Sequence, residues 1–98
     1  MAKLTAAQIR AVLPTVPGWK RQGRVIARTY QFRDFAQAMK FVNTVARLAE
    51  RAWHHPDFTI QWSQVTLTLT THDAAGLTEK DFVLAGKLDA LAKPKARS

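Results

Sequence analysis

The chain contains no cysteine. Disulfides, thiolate metal sites and thiol nucleophiles are therefore excluded, which suits a reducing compartment. No apolar run approaches the roughly 20 residues of a membrane span. The start, Met1-Ala2-Lys3-Leu4, has no apolar segment of the signal-peptide kind. Together these absences predict a cytoplasmic protein. Acidic residues are missing from the first third. Positions 1 to 33 carry seven Lys or Arg and no Asp or Glu, and positions 34 to 98 carry eight basic and seven acidic residues, so +7 and +1 make up the net +8. Such a field attracts polyanions or an anionic substrate, and it also simply keeps a protein soluble. Basic and aromatic residues do not interleave in a recognisable nucleic-acid module, so the solubility reading is favoured over nucleic acid as a partner.

What is present suits one small domain. Ninety-eight residues with 47% hydrophobic content can build a single core but not two. Thr5 with Gln8 reads as a capping box opening a short helix, with Ile9, Val12 and Leu13 inward and Pro14 beyond its end. Trp19 to Arg21 and Val25 to Phe32 read as strands joined through Gln22-Gly23. Asp34 is the N-cap of a long helix in which Phe35, Ala38, Met39, Val42, Val45, Ala46, Ala49 and Trp53 recur at three- and four-residue intervals, ended by Pro56. Phe41 and Leu48 lie beside that stripe and widen it, which predicts a surface for self-association.

Alternation then marks two half-buried strands, Phe58, Ile60 and Trp62 on one and Val65, Leu67 and Leu69 on the other, with a turn near Ser63-Gln64. After a loop from His72 to Gly76, Thr78 as N-cap and Asp81 as N3 open a last helix with Phe82, Leu84, Ala85, Leu88 and Leu91 inward. The tail Lys93 to Ser98 is basic and reads as frayed. The order is α-β-β-α-β-β-α in one α+β domain over residues 1 to 98, expected as a four-stranded antiparallel sheet with three helices packed on one face.

All three histidines fall within one constellation: Glu50, His54-His55-Pro56, Trp62, His72 and Asp81. Imidazole is the side chain whose ordinary pKa permits proton chemistry near neutrality, so the grouping predicts an acid/base site. Glu50 and His54, four apart on a helix, would share a face and favour the charged ring, as would the helix C-terminus. That poises His54 as a general acid. Arg51 would stand in the same relation to His55 if the helix ran that far. Each member also has a plain structural reading: a polar helix end, a core tryptophan, a loop histidine, a cap. Zinc is a sharper rival for three imidazoles and a carboxylate, but the helical i, i+4 histidine pair is missing.

The run Glu50-x3-His54-His55-Pro56-x5-Trp62-x9-His72-x8-Asp81 resembles the signature of the pterin-4a-carbinolamine dehydratases, also known as dimerisation cofactors of a homeodomain transcription factor. Gly18-Trp19, Phe32-x-Asp34-Phe35, Leu48-Ala49-Glu50, Val65-Thr66-Leu67, Thr71-His72-Asp73 and Gly76-Leu77-Thr78 extend the resemblance over nearly the whole chain. Ala75, where the family usually has glycine, and Trp53, where a smaller polar residue is common, depart from it.

The resemblance implies a lyase that removes water from 4a-hydroxytetrahydrobiopterin to give the quinonoid dihydropterin, in the recycling that follows aromatic amino-acid hydroxylation. No metal and no redox cofactor is implied. By family analogy His54 and His72 act as acids toward the two faces of the substrate, His55 mainly holds the pterin, and Asp81 orients a histidine or the ring. Glu50, Trp62 and Pro56 support the site. A homodimer or homotetramer is implied as well. Two other readings stay open: a binding module of the coactivator type, and a relative acting on a pterin of molybdenum-cofactor metabolism.

Overall fold

The computed structural model describes residues 2–92. Helix α1 (Ala6–Val12) begins where Thr5 Oγ1 accepts from Gln8 N–H while Gln8 Oε1 accepts from Thr5 N–H, the reciprocal box expected from the sequence. A 3₁₀ turn, Leu13–Thr15, follows with Pro14 inside it. Strands β1 (Lys20–Gln22) and β2 (Val25–Gln31) make a hairpin whose turn uses Gly23 at φ +60. Helix α2 (Phe35–Ala52) is capped by Asp34, which accepts from Gln37 N–H at 2.9 Å. Strands β3 (Asp57–Gln61) and β4 (Gln64–Leu69) form a second hairpin, and α3 (Glu79–Ala92) closes the described chain. The expected tail, Lys93 to Ser98, lies outside the described residues.

The four strands lie in the order β1-β2-β4-β3, all antiparallel. The three helices pack on one face of this sheet, as predicted. Register explains the two faces. Ile26 pairs with Leu69, Tyr30 with Val65 and Phe58 with Leu67, so one apolar row runs across β2, β4 and β3 beneath the helices. The alternate positions give Thr29, Thr66 and Thr59 on the open face, where Thr29 and Thr66 share a hydroxyl hydrogen bond at 2.8 Å. Ile26, Leu67 and Leu69 are wholly buried, each worth about 1.5–3 kcal/mol relative to exposure.

Helix α2 corrects the expected surface. Phe41 is only 7% exposed and stacks obliquely on Tyr30 and Phe32, with centroids 5.0 and 4.9 Å away. It stands three residues after Ala38 and four before Val45, so it belongs to the centre of the buried stripe, and the small Ala38 and Ala49 let the sheet come close. Leu48 is half-buried against the same core. Neither residue offers the self-associating surface read from the sequence. Trp53, read as part of the stripe, is 82% exposed, and Phe35 and Leu91 are also exposed at element ends.

Candidate active site

Helix α2 ends earlier than Pro56 requires. Trp53 adopts the left-handed conformation (φ 54, ψ 38), its N–H reaches Glu50 O, and His54 N–H reaches Ala49 O at 3.2 Å. This is the Schellman arrangement, usually closed by glycine or asparagine, and here by tryptophan. The reversal takes His54 off the helix, so the i, i+4 relation with Glu50 is never formed, nor that of Arg51 with His55. Both expectations are corrected.

Instead His54 turns inward. It is 8% exposed, and its Nε2 lies 2.6 Å from Oδ1 of Asp81, which has no exposure at all. The other carboxylate oxygen, Oδ2, accepts from the Thr71 hydroxyl and from Thr78 N–H, each at 2.9 Å. Since the Thr71 proton is committed to Asp81, the 2.9 Å bond between Thr71 and Thr78 hydroxyls must be donated by Thr78, whose own oxygen accepts from Lys80 N–H. A continuous chain of donors therefore runs from the first turn of α3 to the carboxylate. With Asp81 accepting at both oxygens, the His54 proton facing it sits on Nε2, and Nδ1 is left for a ligand. Asp81 is both the cap read from sequence and the partner of a histidine, so its plain and functional readings hold together.

Glu50 is displaced to the neighbouring ring: its Oε2 lies 2.8 Å from His55 Nε2, in a pair open to solvent. Pro56 is buried behind the histidines. His72 opens a 3₁₀ turn, His72–Ala74, pinned at its base where Thr71 and Gly76 bridge. Its ring is exposed. Ala75 takes the left-handed conformation at φ 58, the position where the family's glycine would be relaxed. Trp62 does not join its own chain's site. It stands in the β3–β4 turn, 73% exposed, at the far end of a strand that leads away from Pro56, roughly 20 Å along at the usual strand rise.

A cavity of about 340 Å³ opens beside His54, floored by Ala52, Val83 and Leu84 and rimmed by Glu79, Lys80 and Lys87. A larger groove of about 580 Å³ lies over Arg28, Tyr30 and Asp89 and contains none of the histidines, so size is no guide to the chemistry here. Among the described residues no three His, Asp or Glu side chains converge as a metal-ligand set.

Comparison with known proteins decides the family. The model for the pterin 4 alpha carbinolamine dehydratases matches residues 2–91. The chain belongs to this family. A Thermomicrobium roseum protein provisionally named pterin-4-alpha-carbinolamine dehydratase is 55% identical over 92 residues, covering 94% of this chain and 99% of its own. One of the same provisional name from Acidobacterium capsulatum is 52% identical over 91 residues, covering 93% and 99%. Among solved structures, the Brucella melitensis transcriptional coactivator/pterin dehydratase superposes with a TM-score of 0.89 at 33% identity, over 93% of this chain and 99% of that one. A pterin dehydratase-like protein identified as a RuBisCO assembly factor in the alpha-carboxysome gives 0.68 at 26% identity, over 80% and 93%. The dehydratase fold thus also occurs in a protein described by an assembly role.

The donor set that sequence reasoning missed is Thr71 and Thr78. Thr78 was legible as a cap, and Thr71 only as a neighbour of His72. Nothing local signals that the two hydroxyls converge on a carboxylate that also holds His54.

Proposed function

We propose that this dehydratase-family protein removes water from 4a-hydroxytetrahydrobiopterin to give the quinonoid dihydropterin, in the cytoplasmic recycling of tetrahydrobiopterin that follows aromatic amino-acid hydroxylation. It works as a homodimer or homotetramer without metal or redox cofactor. The observation that carries the reading is the buried His54–Asp81 pair at 2.6 Å, held by Thr71 and Thr78 and opening on a cavity of about 340 Å³.

The reaction needs one proton given and one taken. As the C4a–O bond breaks, the departing oxygen takes a proton and leaves as water, while N5 loses its proton and its electron pair forms the C4a=N5 bond. Proton transfer by a positioned side chain typically contributes 10²–10⁴-fold. His54 in its doubly protonated form donates one N–H to Asp81 and offers Nδ1–H to the leaving oxygen, and the carboxylate offsets the positive charge of the ring. His72, on its pinned turn, serves the opposite face of the substrate. His55, steadied by Glu50, holds the pterin. The apolar floor of Ala52, Val83 and Leu84 supports burial of a flat heterocycle.

The test is the rate of quinonoid dihydropterin formation from the 4a-carbinolamine with purified protein, after subtraction of the uncatalysed rate. Acceleration is expected. A rate equal to background would remove the enzyme reading and leave that of a binding module. The same assay with a molybdenum-cofactor pterin as competitor identifies the preferred substrate.

A further inference from the structure

We propose that Trp62 serves the active site of a second copy of this chain, carried there by antiparallel pairing of the two β3 strands. The inference rests on the dehydratase reading and adds to it the residue and the geometry that complete the pocket.

Four observations converge. Strand β3 bonds only to β4, so its outer row of N–H and C=O groups is unpaired. It carries neither lysine, arginine nor proline between Asp57 and Gln61, the devices by which edge strands usually resist pairing. Its helix-side apolar row outruns the helices, leaving Ile60 37% and Trp62 73% exposed. Finally, Trp62 holds φ 54 at the first position of a two-residue hairpin turn, where glycine is the usual choice and a bulky side chain is strained. Strain of this kind is retained where a residue has a task.

The sequence of β3 selects its own copy as occupant. About a two-fold axis through Thr59, Asp57 faces the partner's Gln61 and Phe58 faces the partner's Ile60. Apolar meets apolar on one face, and no like charges meet. Sliding the register by two residues either way leaves three of the five strand residues paired and separates the apolar row from itself. The same symmetry sets Pro56 opposite the partner's Trp62, at about 5 Å between Cα atoms. Pro56 directly follows His54-His55, and Val83, 58% exposed, lines the cavity beside His54. Within one chain Trp62 lies far from this cavity. Across the two-fold it stands at its mouth, an aromatic plane for a bicyclic ring to stack upon.

The absence of cysteine makes the register directly testable. Thr59→Cys should form a disulfide-linked dimer under mild oxidation, because facing Cα atoms about 4.5–5.5 Å apart lie within disulfide range. Thr29→Cys, on an inner strand, should not. Failure of Thr59→Cys to cross-link overturns the pairing. Trp62→Ala should raise KM about tenfold, the scale of losing an aromatic stacking surface, and Trp62→Phe should restore most of it.

Subunit mixing then separates the chains. Trp62→Ala and His54→Ala protein, each poorly active, are denatured together in equal amounts and refolded. Half of the dimers are then mixed, and each mixed dimer has one site with both residues intact, so activity should recover to about a quarter of the unmodified level. No recovery overturns action across the two-fold. If the unmodified protein shows no turnover, the dehydratase reading fails and the role of Trp62 fails with it, while the cross-link still judges the pairing.

Discussion

His54 and Asp81 meet at 2.6 Å across 27 residues of sequence, joining the end of α2 to the start of α3. One oxygen of the carboxylate holds the ring and the other closes the cap of α3 through Thr78 N–H. The helix start therefore fixes the carboxylate before any ligand arrives, and the carboxylate fixes the histidine. Preorganisation of this sort keeps the acid aligned without reorganisation during the reaction.

Asp81→Asn should accordingly lose on both counts. The amide has one acceptor oxygen for three donors, so at least one buried donor is left unpaired, costing about 1–3 kcal/mol. Turnover should fall about 10²-fold, as for His54→Ala. His72→Ala should show a loss of similar size. Thermal melting and stopped-flow kinetics read the two effects separately. Full activity in both His54→Ala and His72→Ala would remove the acid assignment.

Thr71→Val tests the supporting hydroxyl. The substitution keeps the shape but removes both the donor to Asp81 Oδ2 and the acceptor of the Thr78 hydroxyl. Stability should fall by about 1–3 kcal/mol, since the Thr78 hydroxyl is left buried without its acceptor. Turnover should fall less than in Asp81→Asn, because Oδ1 still holds His54. A kcat equal to that of the unmodified protein, with unchanged melting, would show that the hydroxyl chain is idle.

Glu50 now belongs with His55, and the expected consequences are smaller. An exposed pair of this type is worth no more than about 1 kcal/mol. Glu50→Gln should leave melting nearly unchanged and raise KM by a few-fold with kcat held, the signature of lost binding rather than lost chemistry. His55→Ala should do the same more strongly. A kcat loss in Glu50→Gln as large as that of His54→Ala would restore the role first read for it from helical spacing.

What the sequence made legible was local. The caps at Thr5, Asp34 and Thr78 are set by residues three apart, and the alternation of Val65, Leu67 and Leu69 carries the sheet's buried face. The family signature named the histidines and Asp81 but not their partners, because His54 reaches its carboxylate only through tertiary folding. The helix end was misjudged for a physical reason: Trp53 performs a reversal that glycine or asparagine ordinarily signals. Trp62 was placed in the site by its position in the signature, while the chain's own geometry sets it at the other end of β3. Arg28 also escaped, since a charged residue on the inward face of β2 contradicts the pattern that defines a strand.

Arg28 leads to the last prediction. Asp89 Oδ1 accepts from Trp19 Nε1 at 3.0 Å, Arg28 at 2.9 Å and Tyr30 OH at 2.5 Å, tying α3 to the sheet on the side away from the histidines. The Arg28 guanidinium also lies 4.7 Å over the Tyr30 ring. Burial, then the hydrogen bond to Asp89 and its negative charge, push the Tyr30 phenol far above its ordinary value of 10.0, against the smaller opposing pull of Arg28 and Trp19. The sign follows from linkage. The folded state keeps the proton where the unfolded state releases it, so this contribution is complete below about pH 10 and shrinks as pH rises beyond it. Denaturant midpoints should therefore drop steeply from pH 10 to 11.5. Tyr30→Phe should be less stable at pH 7, through the lost hydrogen bond, yet show a shallower alkaline decline. An identical alkaline slope in the two proteins would mean that Tyr30 is not the group resisting ionisation.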